Sequence, residues 1–220
     1  AMEAVLTGTA GDDASPTAAR LRASLAETGV SPVHARELLI AFRQDAVKTR
    51  YADWGELMAY CRYSAAPVGR YVLDLHGESE ATWPASDVLC ASLQVLNHLQ
   101  DCARDFADLD RSYLPGDWLA REGAVPEDVR ASSTSPGLRR VFDAMLAETA
   151  RLNAGASALP GLVRARRLGV ETAIICRLAR RLHARLLRGD PLATRVRLRA
   201  PDAIGAVLAS LPRFAIGRIS

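Results

Sequence analysis

The segment Gln94-Val-Leu-Asn-His-Leu-Gln-Asp-Cys-Ala-Arg-Asp105 decides how the rest of this sequence is interpreted. It lies within a longer stretch, from about Pro84 to Asp110, that contains no glycine and no further proline. Leucines recur through this stretch at helical intervals, at Leu89, Leu93, Leu96 and Leu99. Because side chains three and four residues apart share one side of a helix, the stretch predicts one long helix with an apolar face.

A polar stripe on the same predicted helix is formed by Gln94, Asn97, Asp101 and Asp105. Two carboxylates four residues apart repel each other, and the repulsion becomes costly where they are buried. A divalent cation removes this cost, and Mg²⁺ prefers one or two carboxylates together with water and substrate phosphates. The stripe therefore predicts a site for Mg²⁺ and a diphosphate. A solvated acidic face, offset by neighbouring arginines, is the alternative interpretation.

The remaining sequence is also predicted to be helical. Alternating β-branched and aromatic residues are scarce, and neither Asn-Gly nor Asp-Gly occurs. Helical periodicity predicts helices at about 17–28, 32–47, 51–64, 68–76, 84–110, 137–157, 161–188 and 201–211. Ser86 is expected to cap the first turn of the long helix, and Pro67 to kink the helix that it interrupts. These features predict an all-α protein with a single domain over residues 1–220.

The composition of the 220-residue chain excludes several classes of protein. Charged residues make up 24% of the chain, with 28 basic against 25 acidic, which is too balanced for a disordered polyelectrolyte. No apolar run reaches the ~18 residues that a membrane-spanning helix needs. Four widely spaced cysteines and an N-terminal segment unlike a signal peptide predict a cytoplasmic protein with reduced thiols.

Basic residues are concentrated near the C-terminus. Residues 160–220 contain 13 arginines and three acidic residues, which leaves 15 basic and 22 acidic residues in the remainder. The arginines are not interleaved with aromatic side chains, so nucleic-acid binding is disfavoured. A solvated helical face is the simpler interpretation, and peripheral contact with the anionic inner face of a membrane is the alternative.

Two further segments carry candidate site residues. In Tyr60-Cys-Arg-Tyr-Ser-Ala-Ala-Pro-Val-Gly-Arg70, the small side chains permit close helix approach or leave room for a ligand. Read alone, this segment is a core helix with Tyr60 as a packed aromatic. Arg111-Ser-Tyr-Leu-Pro115 follows the long helix and can return an arginine toward its carboxylates.

Together these segments resemble the squalene/phytoene synthase family. The resemblance is carried, in chain order, by Tyr60-Cys61, Val68-Gly69, Gln94–Asp105 and Arg111–Pro115. It extends from about Phe42 to Pro115 and returns weakly at 190–198. Within the family, Ser64–Arg70, Leu73–Gly77 and Leu96–Asp105 resemble the bacterial branch that serves hopanoid biosynthesis.

The resemblance implies an all-α isoprenoid-synthase-type bundle with an apolar cavity for prenyl chains. It implies a Mg²⁺-dependent enzyme that forms hydroxysqualene from presqualene diphosphate by carbocation rearrangement and capture of water, without NADPH. A presqualene diphosphate synthase would supply the substrate, and a squalene-forming reductase would consume the product. Two alternatives stay open: a head-to-head prenyl transferase making presqualene diphosphate or phytoene, and an inactive helical protein that binds a partner.

The resemblance also implies roles for individual residues. Asp101 and Asp105 match the second aspartate motif of the family, which holds Mg²⁺ against the diphosphate. Tyr60 matches a catalytic tyrosine beside the ionising carbon. Six further residues are implied to bind substrate: Arg50, Tyr51, Gln94, Asn97, Arg111 and Arg195.

The first of the family's two aspartate motifs has no counterpart here. The only acidic pair upstream of Tyr60 is Asp12-Asp13, in a loop without an acidic residue four positions further on. We therefore expect the sequence to be truncated at the N-terminus. Because a single carboxylate pair binds Mg²⁺ and diphosphate poorly, we also expect the chain alone to be weakly active or inactive.

Overall fold

The computed structural model describes residues 1–210, and helices account for nearly all of the regular structure there. Eleven α-helices run through this part of the chain: α1 Met2–Leu6, α2 Pro16–Thr28, α3 Val33–Asp45, α4 Trp54–Ser64, α5 Ala66–Leu75, α6 Trp83–Leu109, α7 Gly116–Arg121, α8 Pro136–Ala156, α9 Leu159–Leu162, α10 Arg166–Arg188 and α11 Ala200–Leu208. An isolated bridge between Tyr51 and Pro115 is the one strand-like pairing among these residues. The all-α prediction is confirmed.

Helix α6 is the central element of the bundle, and it packs against α4, α5, α8 and α10. Pro84 lies in its first turn, where no interior hydrogen bond is lost, and the helix ends before Asp110, whose φ of 48° is left-handed. Its buried side chains include Leu89, Leu96 and Leu99, as the leucine spacing predicts. Because burying each such side chain contributes about 1.5–3 kcal/mol, this face fixes α6 in the core.

Helices α8 and α10 also pack against α6 and against each other. The Ser135 side chain accepts a hydrogen bond from the Leu138 backbone and so caps α8. Between α6 and α8, the buried Ser92 hydroxyl donates to the Asn153 side-chain oxygen at 2.8 Å. This bond pairs two polar atoms inside an otherwise apolar interface and helps to fix the register of the two helices.

The predicted kink at Pro67 is wrong, because the chain forms two separate helices there. Helix α4 ends at Ser64, and Ala65 leaves the helical conformation with φ −124° and ψ −48°. Helix α5 then begins at Ala66, with Pro67 in its first turn. A proline at this position costs no intrahelical hydrogen bond, so the break is compatible with two well-formed helices.

Ser86 does not cap α6, contrary to the prediction. The helix begins at Trp83, so Ser86 lies inside it, and its side chain is buried against α5. A Cβ atom placed on Gly69 of α5 would come within 2.6 Å of the Cys90 sulfur and closer still to the Ser86 hydroxyl. Glycine at position 69 therefore permits the close approach of α5 and α6.

Two other predicted helices differ in their bounds. The helix predicted at 51–64 begins at Trp54, because the Asp53 carboxylate caps it by accepting a hydrogen bond from a backbone amide of the first turn. The helix predicted at 161–188 is divided into α9 and α10. The predicted end of the last helix at Leu211 lies outside the described residues. Through residue 210, no helix is both long and apolar enough to cross a membrane.

Substitution of Gly69 by alanine tests the close contact between α5 and α6. The added methyl group would collide with Ser86 and Cys90, so Gly69→Ala is expected to lower the free energy of unfolding by about 1–3 kcal/mol, the usual cost of overpacking. Gly161→Ala is the matched control, because nothing lies within 4 Å of the position of its Cβ. Urea denaturation measures both variants, and equal stabilities would contradict the contact.

Candidate functional site

The two aspartates of α6 lie one turn apart on a partly exposed side of the helix. The Asp101 side chain is 27% exposed and forms an ion pair with Arg104 at 2.8 Å. Burial and then the negative charge of Asp101 raise the pKa of Asp105 above its ordinary value. The carboxylates therefore repel each other, and a cation bound between them would relieve the repulsion.

The polar stripe continues along α6 toward the N-terminus of the helix. Asn97 is exposed and Gln94 is half-buried, and their spacing from Asp101 puts them on the same side of the helix. Neither amide has a hydrogen-bond partner among the described residues. Two amides and two carboxylates are thus available to a ligand along one side of α6.

A cluster of aromatic rings lies beside the stripe. Tyr60 of α4 is 3% exposed, and its ring centroid lies 5.3 Å from that of Tyr51 and 5.7 Å from that of Tyr113. The ring of His98 lies 6.3 Å from Tyr60 and stacks on Tyr113 with 3.4 Å between centroids. Since His98 and Asp105 are both on α6 and two helical turns apart, the aromatic cluster borders the acidic pair.

Asp45, at the end of α3, connects the members of this cluster. Its carboxylate accepts a hydrogen bond from the Tyr60 hydroxyl at 3.2 Å and lies 3.4 Å from the Arg111 guanidinium. Arg111 also donates to the Asp45 backbone oxygen at 2.5 Å and to the Tyr113 hydroxyl at 3.3 Å. Arg111 therefore reaches back to α3 and braces Asp45, and within residues 1–210 it forms no ion pair or hydrogen bond with Asp101 or Asp105.

Several buried polar atoms of the cluster have no hydrogen-bond partner among residues 1–210. They are Tyr51 Oη, His98 Nε2 and Arg111 Nε. Burial lowers the pKa of His98 to about 3 and raises the pKa of Tyr60, so both side chains are uncharged at neutral pH. Buried polar atoms are nearly always paired in folded proteins. Several unpaired polar atoms in one place therefore indicate a surface suited to a polar ligand group.

Neither Asp45 nor His98 is assigned a role by sequence reasoning. Asp45 is a single acidic residue at a helix end, without another acidic residue four positions away, and only the fold brings it to Tyr60. The family resemblance from about Phe42 onward is the one signal in the sequence that includes it. His98 acquires its stacking partner only because the chain after α6 returns Tyr113 to the helix.

Arg50 and Tyr51 lie just before α4, and they differ in environment. The Arg50 guanidinium donates to the Asp110 carboxylate at 2.7 Å and lies 5.0 Å from the centre of the Phe106 ring. It therefore fastens the C-terminal end of α6. Tyr51 is 2% exposed and stacks on Tyr113 within the aromatic cluster.

Arg195 lies in the segment between α10 and α11, and its side chain is exposed. The backbone oxygen of the adjacent Val196 accepts a hydrogen bond from the Gln100 side chain at 2.6 Å. Gln100 precedes Asp101 on α6, so this bond brings the Arg195 segment near the acidic pair. The described residues show no contact between Arg195 and either aspartate.

The donor set of this site fits Mg²⁺ only in partnership with a ligand. No group of three or more acidic, histidine or cysteine side chains arranged for a metal ion occurs within residues 1–210. Asp101 and Asp105 by themselves form a two-carboxylate set on one side of α6. Because Mg²⁺ commonly takes one or two carboxylates and completes its shell with water and phosphate oxygens, the pair suits Mg²⁺ carried by a diphosphate.

The all-α bundle with this paired-aspartate helix has the isoprenoid-synthase-type fold. The squalene/phytoene synthase family model matches residues 1–202. A hydroxysqualene synthase from Rhodopseudomonas palustris is 43% identical over 221 residues, which cover 99% of this chain and 75% of the relative. A hydroxysqualene synthase from Sinorhizobium fredii is 45% identical over 205 residues, which cover 91% of this chain and 70% of the relative.

A solved structure agrees with these relatives. The crystal structure of squalene synthase HpnC from Alicyclobacillus acidocaldarius matches with a TM-score of 0.74 and 32% identity, covering 85% of this chain and 70% of that chain. The chain therefore belongs to the squalene/phytoene synthase family of head-to-head prenyl transferases and is an enzyme of that family. The predictions of family and fold are confirmed.

Replacement of Asp105 by asparagine tests the repulsion within the acidic pair. An aspartate whose pKa is raised on folding binds more protons in the folded state, so stability falls as the pH rises through the range between its unfolded and folded pKa values. At neutral pH the ionised Asp105 is therefore destabilising. Asp105→Asn is expected to raise the free energy of unfolding by about 0.2–0.5 kcal/mol, the scale of a like-charged pair one turn apart.

Urea denaturation across the acidic to neutral range measures this effect. Asp13→Asn is the matched control, because it removes the same charge from an exposed position away from the acidic pair. Asp105→Asn should reduce the loss of stability with rising pH, whereas Asp13→Asn should leave it in place. Identical pH profiles for the two variants would show that Asp105 carries no special electrostatic cost.

Asp45→Ala tests the connection between α3 and the aromatic cluster. It removes the counter-charge of Arg111, whose side chain is 13% exposed, and it removes the acceptor of the Tyr60 hydroxyl. We therefore expect a loss of about 1–3 kcal/mol in the free energy of unfolding. Glu148→Ala breaks an ion pair with the largely exposed Arg151 and should cost less than about 1 kcal/mol. Chemical denaturation that gives equal losses would rule out a bracing role for Asp45.

Proposed function

We propose that this enzyme converts presqualene diphosphate to hydroxysqualene and inorganic diphosphate in a Mg²⁺-dependent reaction. The observation that carries the proposal is the acidic pair Asp101 and Asp105 next to the buried aromatic cluster around Tyr60. Such a site combines a place for a charged leaving group with rings that can face a carbocation. The hydroxysqualene synthases among its relatives support this choice within the family.

The first requirement of the reaction is departure of diphosphate, which is slow until its negative charge is neutralised. In the proposed site Asp101 and Asp105 hold Mg²⁺, which when bound supplies the positive charge that stabilises the departing anion. The raised pKa of Asp105 supports this role, because the pair is more stable with a cation present. The amides of Gln94 and Asn97 would donate to diphosphate oxygens, and Arg195 would approach them from its loop.

The second requirement is protection of the cation that remains. Its cyclopropylcarbinyl centre rearranges and is captured by one water molecule, so one carbon–oxygen bond breaks, another forms, and the proton of the water leaves with the diphosphate. Aromatic ring faces stabilise a nearby cation, and the Tyr60 ring is held in position by the bond from its hydroxyl to Asp45. Because burial raises the pKa of Tyr60, its phenol stays protonated and is a poor trap for the cation.

The proposed reaction depends on two other enzymes. A presqualene diphosphate synthase must supply the substrate, and a reductase must replace the hydroxyl group by hydrogen to give squalene. Ionisation followed by addition of water is redox-neutral, so the proposed step itself needs no NADPH.

Product analysis of the purified chain with presqualene diphosphate and Mg²⁺ tests the proposal. We expect hydroxysqualene, identified by mass spectrometry, and slow turnover, because the described residues offer a single carboxylate pair. Asp101→Asn should lower the rate by about 100-fold or more, the scale on which a group that stabilises a developing anion acts. Asp13→Asn, which removes the same charge from an exposed position outside α6, should retain the rate.

Other products would identify the alternatives. Conversion of farnesyl diphosphate to presqualene diphosphate would assign the chain to the transferases of the family and contradict the proposal. No Mg²⁺-dependent turnover, with no effect of Asp101→Asn on any binding, would indicate an inactive binding protein. Fast turnover would contradict the expectation that efficient catalysis needs a second aspartate motif.

A further inference from the structure

Arginine side chains line a cleft of about 770 Å³ formed by the C-terminal half of α10, the segment after it and the start of α11. Its arginines are Arg181, Arg185, Arg188, Arg195, Arg197 and Arg199, and we refer to it as the basic cleft. Arg177 and Arg180 line a second depression beside α11. Cationic side chains therefore flank α11 where it rests on α10.

Most arginines of this region lack the carboxylate partners that are common elsewhere in the described chain. Arg62, for example, has a carboxylate oxygen at 2.6 Å. In the basic cleft the one carboxylate is that of Asp202, which is already paired with Arg181 and Arg185. Residues 177–210 contain eight arginines and two aspartates, so the surface carries a strong uncompensated positive charge.

Helix α11 directs its apolar side outward. Asp202 and Ala206, one turn apart, are buried on the side that faces α10. On the opposite side Ile204, Val207 and Leu208 are 59%, 42% and 60% exposed. A surface helix in water usually has the reverse arrangement, because burying apolar area is worth about 25 cal/mol per Å².

We propose that α11 and the basic cleft form a docking surface for a bilayer that contains anionic phospholipid. The outward apolar side chains of α11 enter the boundary between headgroups and acyl chains, and the flanking arginines contact lipid phosphates. An apolar side with cationic flanks, on a helix too short to span the bilayer, is the arrangement found in interfacial helices. Anionic headgroups attract such clusters of arginine.

Charge and composition favour a bilayer over other occupants. A second copy of this chain would bring the same unpaired arginines together, and like charges oppose that association. Nucleic acid is disfavoured, because residues 177–210 contain no Phe, Trp or Tyr on which bases could stack. A bilayer supplies both phosphates and an apolar layer to one surface. The sequence after α11 also combines basic and apolar residues: Arg213, Phe214, Ile216, Arg218 and Ile219.

The docking surface borders the candidate active site. Val196 lines the basic cleft, and its backbone oxygen is bonded to Gln100, the residue before Asp101 on α6. Docking would therefore bring the acidic pair close to a membrane in which water-insoluble prenyl chains dissolve. Binding to vesicles requires no turnover, so its test is independent of the proposed reaction.

Co-sedimentation with vesicles tests the proposal. The full chain is mixed with vesicles of phosphatidylcholine alone or with vesicles that also contain about 30% phosphatidylglycerol. We expect binding to the anionic vesicles, little binding to the neutral ones, and a decrease with added salt because exposed charges are screened. Failure to bind anionic vesicles, or equal binding to both kinds, would overturn the proposal.

Two variants separate the contributions of charge and of apolar contact. The triple variant Arg177→Gln, Arg180→Gln and Arg188→Gln should bind roughly 100-fold more weakly, because each arginine near an anionic surface contributes about fivefold. The double variant Ile204→Asn and Leu208→Asn keeps the charge and should weaken binding by about tenfold or more.

The matched control is Arg121→Gln, Arg140→Gln and Arg151→Gln, which removes the same charge from α7 and α8. It should bind as the unmodified chain does, and circular dichroism with thermal unfolding verifies that every variant is folded. If the control loses as much binding as the α10 variant, binding depends on net charge alone. That result would overturn the proposed docking surface. A concentration-dependent dimer dissociated by Leu208→Asn would assign the surface to a second copy instead.

Discussion

The position of α6 is the constraint on which the rest of this structure depends. Its leucine-rich side is buried among α4, α5, α8 and α10. The polar stripe therefore lies on the opposite side of the helix. Rotation of the helix would expose apolar area and bury Asp101 and Asp105 together, and both changes are unfavourable. The close contact at Gly69 fixes α5 against the same helix. Packing of the core thus determines where the carboxylates lie.

Electrostatics divide the protein into regions with different functions. Most arginines of the bundle are offset by nearby carboxylates, as Arg62 is by Glu37. Two regions depart from this balance: the acidic pair on α6, where Asp101 raises the pKa of Asp105, and the arginine-lined surface around α11. Each region is more stable with an oppositely charged partner, a cation in one case and phosphates in the other. A prenyl diphosphate delivered from a membrane would meet both regions.

The fold was predictable from sequence wherever local signals agree with tertiary packing. The long helix α6 is such a case, because apolar spacing and the absence of internal glycine both favour it. The burial of Ser86 was not, since it depends on how closely α5 approaches α6 at Gly69. The site divides in the same way: the acidic stripe follows from spacing along one helix, whereas the bond between Asp45 and Tyr60 joins two helices that only the fold brings together.

The role of α6 depends on whether its carboxylates bind Mg²⁺ together with a diphosphate. Calorimetric titration of inorganic diphosphate into the chain, with and without Mg²⁺, measures this binding by itself, because it requires neither substrate nor turnover. We expect heat of binding only when Mg²⁺ is present, and we expect it to be lost in the Asp101→Asn, Asp105→Asn double variant. Equal binding without Mg²⁺, or undiminished binding by the double variant, would show that the acidic pair does not hold Mg²⁺ with diphosphate.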